Sequence, residues 1–194
     1  SLYLSKSAEV VSIFLDFVDE EDLHIYSIDE SFLSVTPYLD LYRCTPKELA
    51  KRILDTVKKK TGLVCTAGIG PNIFMAKIAL DREAKNAPDR IAEWTMEDVP
   101  TKLWTMSPLS EMWGISTHLE VRLNGMGMVS VGDLAHFSKD LLVKQFGIMG
   151  EQLYNHANGL DASDIRQKAL PKDQSLSIGQ TLMRDYDPKE LPLI

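Results

Sequence analysis

The sequence predicts an α+β fold: an antiparallel sheet with helices, followed by a small all-α region. Three observations carry that reading. Helix and strand patterns alternate irregularly over residues 1–95. A tight hairpin pattern lies among them at residues 24–35. Strand signals then stop near Thr95, and short helical segments punctuated by Gly and Ser follow.

Residues 5–19 read as a helix, because Val10, Val11, Phe14, Phe17 and Val18 recur at helical spacing. Glu20-Glu21-Asp22 ends it in a charged loop. The hairpin comes next, His24-Ile25-Tyr26-Ser27-Ile28 before its bend and Phe32-Leu33-Ser34-Val35 after it. Thr45-Pro46-Lys47-Glu48 predicts a helix start: Thr caps, Pro sits first with its φ already set, and Glu closes a capping box. Leu49, Ile53, Leu54 and Val57 form its apolar stripe, Lys58-Lys59-Lys60 suits its negative end, and Gly62 stops it. Leu63 to Ile69 is a short apolar run that reads as a buried strand. Gly70-Pro71-Asn72 opens another helix with Phe74, Met75, Ile78 and Ala79 inward, and Arg90 to Trp94 reads as a last strand. The order is α-β-β-α-β-α-β, with a tight hairpin, which favours an antiparallel over a doubly wound sheet.

Segments near 96–104, 108–112, 116–124, 130–136, 138–145 and 150–158 read as short helices. Three regions result: residues 1–95, residues 96–165, and residues 166–194 as a linker leading into the first strand of a further, truncated domain. Ala169 to Gln174 is linker-like, and Leu176 to Met183 alternates like a strand.

Composition narrows the class. Apolar residues make up 44% and charged residues 25%, ordinary for a soluble globular protein. No apolar run is long enough to cross a bilayer and no signal-peptide pattern opens the chain, so a cytoplasmic protein with no membrane association is expected. Cys44 and Cys65 are far apart, and His24, His118, His136 and His156 form no zinc motif. The net charge of −7 argues against tight non-specific DNA binding through Lys and Arg.

Tyr26-Ser27-Ile28-Asp29-Glu30 is the most chemical stretch. Neighbouring strand residues point to opposite faces, so Asp29 and Glu30 converge only where the strand turns or bulges. Two carboxylates there suit Mg²⁺, which takes oxygen ligands, often one or two carboxylates plus substrate phosphates. A solvated turn uses the same residue types.

Two apolar-Gly-apolar turns feed helices: Trp113-Gly114-Ile115-Ser116, and Phe146-Gly147-Ile148-Met149-Gly150. Such turns leave free N–H groups at a positive helix end, able to bind backbone phosphate with few Lys or Arg. Helix connections also need Gly for purely structural reasons. Ala67-Gly68-Ile69-Gly70-Pro71-Asn72 is not a P-loop, but it sets a strand end and a helix beside Lys77, Arg82 and Lys85. Lys77 and Lys85, eight apart, share a helical face and could hold a triphosphate beside the acidic tip.

The Y-S-I-D-E-S-F-L hairpin, G-I-G-x-N with A-K-I-A, and the paired glycine turns, in that order, resemble a Y-family translesion DNA polymerase of the UmuC-like (ImpB/MucB/SamB) bacterial branch. The resemblance implies that residues 1–95 are the C-terminal part of the palm and 96–165 a thumb with helix-hairpin-helix turns. Residues 166–194 would lead into the little finger, where Ser177-Ile178-Gly179 and Arg184-Asp185-Tyr186 also match.

Asp29 and Glu30 would then be two of three carboxylates in a two-Mg²⁺ nucleotidyltransferase site, and Lys85 the lysine that contacts the triphosphate. Lys77, Gly114, Ile115, Ser116 and Gly147 would contact DNA. Primer-template DNA and a dNTP are the implied partners, with a sliding clamp reached through segments absent here. The family's first catalytic Asp, fingers and basic little finger are not in this sequence. It therefore reads as a piece cut at both ends, inactive alone, within a DNA-repair polymerase of the SOS response. Ile73 stands where a lysine is frequent, and Ser116 where glycine is frequent. The alternative is a non-catalytic damaged-DNA-binding module that uses the two glycine turns alone. A nucleotide cyclase also carries an acidic hairpin, but Ser27-Ile28 stands where its glycine pair belongs.

Overall fold

A computed structural model describes residues 2–167. Helix α1 (Leu2–Phe14) opens the chain. It ends earlier than the apolar spacing suggests. Phe17 and Val18 both donate backbone N–H bonds to the Phe14 carbonyl, which turns the chain out of the helix. Strands β1 (Leu23–Ile25) and β2 (Ser31–Leu33) form the hairpin, with Leu23 opposite Leu33 and Ile25 opposite Ser31. A short helix α2 (Leu39–Tyr42) leads to α3 (Pro46–Thr61).

Helix α3 starts and stops as its sequence requires. The Thr45 hydroxyl accepts from Glu48 N–H, and the Glu48 carboxylate accepts from Thr45 N–H at 2.8 Å. Gly62 closes it with φ 77°, a left-handed conformation that L side chains disfavour. Leu49, Ile53 and Val57 are its buried stripe.

Strand β3 (Ala67–Ile69) pairs with β4 (Ile91–Glu93) in parallel, Ala67 beside Ile91 and Ile69 beside Glu93. This corrects the expectation of one antiparallel sheet: the described residues hold two separate two-stranded sheets, one of each kind. The cause is the connection. Helix α4 (Ile73–Ala79) and a wider π-helical turn (Leu80–Ala84) carry the chain back along the sheet, as a parallel pair requires. Only the last three residues of the apolar run 63–69 pair; Leu63 and Val64 remain exposed.

The G-I-G motif is explained by this unit. A Cβ on Gly68 would lie 2.1 Å from the Ala76 carbonyl oxygen, and one on Gly70 would lie 2.5 Å from Ala76 N. The glycines let α4 lie directly on the strand.

Beyond residue 95 the chain is helical, as expected. Irregular turns (Val99–Leu103, Leu109–Glu111) precede α5 (Thr117–Asn124), α6 (Val131–His136), α7 (Lys139–Phe146) and α8 (Ile148–Ala157). One buried cluster runs through both halves: Phe74, Met75 and Ile78 of α4 pack with Leu103, Met112, Leu123, Leu134 and Leu142. Asn72 ties the halves further. Its Oδ1 caps α4 by accepting from Met75 N–H at 2.9 Å, and its Nδ2 donates to the Gly159 carbonyl at 2.8 Å. No helix of the described residues is long and apolar enough to cross a membrane. The linker and strand expected over Ala169–Gln174 and Leu176–Met183 lie outside the described residues.

Candidate active site and nucleic-acid interface

At the hairpin bend, Tyr26 N–H and Ser27 N–H both donate to the Glu30 carbonyl at 3.0 Å. Two donors on one acceptor close the loop Ser27-Ile28-Asp29 and break the strict strand alternation there. Asp29 is exposed, and its Oδ1 accepts from the Ser27 hydroxyl at 2.8 Å. Glu30 is half-buried, and its Oε1 is bound by the ammonium of Lys77. Each acid thus has one carboxylate oxygen held by the protein. Among the described residues, Asp29 Oδ2 and Glu30 Oε2 have no partner.

Lys77 is only 8% exposed. Its ammonium lies between Glu30 and Asp81, 3.1 Å from Asp81 Oδ2, so it is committed to acids inside the fold rather than offered to a phosphate. Burial works against its charge, but hydrogen bonds to Glu30 and Asp81 outweigh it and hold its pKa above the ordinary lysine value. Asp81 behaves in mirror image: burial opposes ionisation, and Lys85 and Lys77 together hold its carboxyl below the usual range. Lys85 reaches Asp81 Oδ1 at 2.8 Å from a side chain that is mostly open to solvent. The spacing 77, 81, 85 puts all three on one face, as the lysine pair suggested. Asp81 was the missed member, and its i+4 relation to both lysines was the available signal.

The hairpin abuts the first glycine turn. Trp113 meets Tyr26 edge-on with ring centroids 5.9 Å apart and tilts over Phe32 at 6.4 Å. On its other side it stacks toward His156 of α8 at 6.5 Å, and His156 stacks on Phe74 at 4.3 Å. Burial pushes the His156 pKa down; the nearby Asp161 carboxylate opposes this without reversing it. Asp161 also accepts from Phe74 N–H at 3.2 Å, which fixes the start of α4.

Gly114 is exposed with φ 94° and open space around its Cα. Ile115 is buried and anchors the turn. Ser116 has φ −79°, which any residue adopts, and its side chain caps α5 by accepting from Leu119 N–H. Serine therefore serves there without glycine's freedom. Gly147 joins α7 to α8 with φ 63°, and Ile148 beside it is 87% exposed. A cleft lined by Trp113, Gly114, Met149, Gln152, Leu153 and His156 brings the first turn against the start of α8. Among the described residues, no group of three or more His, Cys, Asp or Glu could hold a metal ion. A second tie, Arg166 to the buried Asp22 at 2.8 Å, clamps the base of the hairpin to the segment after α8. It escaped sequence reading because 144 residues separate the partners.

The fold is that of Y-family DNA polymerases. The Dbh ternary complex is similar at TM-score 0.66 and 25% identity, over 81% of this chain and 45% of that one. DinB from Sulfolobus solfataricus is similar at TM-score 0.65 and 25% identity, with the same coverage. Residues 1–81 match the model of the impB/mucB/samB family. Over those residues the chain is similar to that family, and over nearly all its length it is similar to proteins named as UV-damage repair protein and DNA polymerase IV.

The putative UV-damage repair protein UvrX of Bacillus subtilis (strain 168) is 46% identical over 189 residues, 97% of this chain and 44% of that protein. DNA polymerase IV 2 of the same organism is 36% identical over 194 residues, 99% of this chain and 46% of that protein. The DNA repair protein homolog YobH, also from Bacillus subtilis (strain 168), is 47% identical over 142 residues, 73% of this chain and 65% of that protein. The chain spans under half the length of UvrX and of DNA polymerase IV 2.

Proposed function

We propose that these residues serve a DNA-directed DNA polymerase that copies damaged templates, with the acidic hairpin as part of its nucleotidyl-transfer site. The observation that supports this most is the Trp113 contact. It joins the acids to the turn read as a DNA-backbone grip, so both belong to one packed unit. Asp29 and Glu30 supply hard oxygen donors with one unpartnered oxygen each, which fits a divalent ion as two of its ligands. When bound, two Mg²⁺ ions would lower the pKa of the primer 3′-hydroxyl and neutralise the triphosphate.

The chain's own residues do the positioning. Ser27 and Lys77 orient the two acids, and Lys85, exposed and on the same face, reaches for the triphosphate of the incoming dNTP. Backbone N–H groups of Gly114 and Ser116 hold phosphates of the primer-template duplex, while the Ile115 and Gly147 N–H groups donate to the Met112 and Val143 carbonyls and shape the two turns. This mode of grip needs few basic side chains, consistent with the net charge of −7.

Primer extension tests the reading. In the full-length protein Asp29→Asn lowers nucleotide addition by about a thousandfold or more while the thermal melt stays unchanged, since Asp29 is exposed. Wild-type synthesis by Asp29→Asn removes that acid from the site.

A further inference from the structure

We propose that Glu30, Lys77, Asp81 and Lys85 form an ion-exchange chain: Lys77 occupies Glu30 until a divalent cation replaces it, and Asp81 is the carboxylate that then takes the whole of Lys77. The inference rests on the metal reading of Glu30. Four charges alternate in sign along it, acid–lysine–acid–lysine, and each neighbouring pair is in contact.

Lys77 is buried, so its ammonium cannot retreat into water when a cation arrives at Glu30. It needs a second acceptor within reach, and Asp81 Oδ2 is already 3.1 Å away. A divalent ion and an ammonium on one carboxylate repel each other, and in a half-buried site that repulsion changes affinity many-fold. Asp81 is shared with Lys85, whose side chain is mostly exposed and free to turn to another anion. When a triphosphate draws Lys85 away, Asp81 is left to Lys77, and Glu30 is released to the metal. Anion and cation binding therefore favour each other through Asp81, and the favour is reciprocal.

The probe is Mn²⁺ alone, titrated by electron paramagnetic resonance against the full-length protein without nucleotide or DNA. Glu30→Gln weakens Mn²⁺ binding. Lys77→Met tightens it by about tenfold, because the competing ammonium is gone. Asp81→Asn weakens it by about threefold or more, because Lys77 then has Glu30 alone, and this effect shrinks below about twofold in the Lys77→Met background. If Glu30→Gln weakens binding but Lys77→Met leaves it unchanged or weaker, the exchange chain is wrong. It is equally wrong if Asp81→Asn leaves binding unchanged or tighter. If Glu30→Gln itself has no effect, the metal reading of the hairpin fails first. A melting curve checks each variant. Should Lys77→Met not fold, Asp81→Asn, which keeps the lysine, decides alone.

Discussion

The ring of Trp113 lies edge-on against that of Tyr26, 5.9 Å between centroids and 79° between planes. Tyr26 is three residues before Asp29, and Trp113 immediately precedes Gly114. The hairpin and the first glycine turn are therefore in direct contact.

Truncating that contact has two measurable results. Trp113→Ala destabilises the chain by about 2 kcal/mol, less than a fully buried aromatic because Trp113 is half-exposed. Urea denaturation of the 194-residue chain reads this, and Trp113→Phe recovers most of it. In the full-length protein the alanine variant also binds primer-template DNA more weakly. Unaltered stability would show that the aromatic stack contributes nothing.

Two glycine substitutions separate packing from phosphate binding. Gly68→Ala forces a Cβ into the backbone of α4 and destabilises by roughly 3 kcal/mol or more, or prevents folding. Gly114→Ala meets open space but a strained positive φ, so it destabilises by about 1 kcal/mol and lowers DNA affinity. Melting temperatures and DNA titrations distinguish the pair. A stable Gly68→Ala protein would overturn the close-packing account of the G-I-G motif.

The buried His156 predicts an acid-side loss of stability. Its pKa is lowered from 6.5 by burial, so the unfolded chain takes up its proton more readily than the folded one. Stability is then fully present above the unfolded value and falls as pH drops below it toward the folded pKa. The urea midpoint of the chain therefore declines as pH falls below 6.5, and His156→Phe reduces that decline. An equal decline in both proteins would mean His156 carries none of it.

Local chemistry was the legible part. The Thr45–Glu48 capping box, Gly62 and the hairpin pattern around Asp29 each depend on residues a few positions apart, and the structure has them where their spacing puts them. The helical character after residue 95 was equally readable from periodicity. Strand direction was not. An apolar run states that a strand is buried, not which neighbour it pairs with, so β3 and β4 were expected in an antiparallel sheet and are parallel. The burial of Lys77 was hidden for a similar reason. Its helical spacing with Lys85 is that of a solvated face, and only the packing of the hairpin against α4 closes Glu30 over it. Trp113 was read as one residue of a turn, and its contacts with Tyr26 and His156 come from the tertiary arrangement alone.

The most direct test is a crystal structure of the full-length protein with primer-template DNA, an incoming nucleotide and Mn²⁺, read by anomalous scattering. The expected result is a manganese peak within coordination distance of carboxylate oxygens of both Asp29 and Glu30, with the Lys77 ammonium moved onto Asp81. A manganese site that uses neither acid, with Glu30 still bound to Lys77, would contradict it.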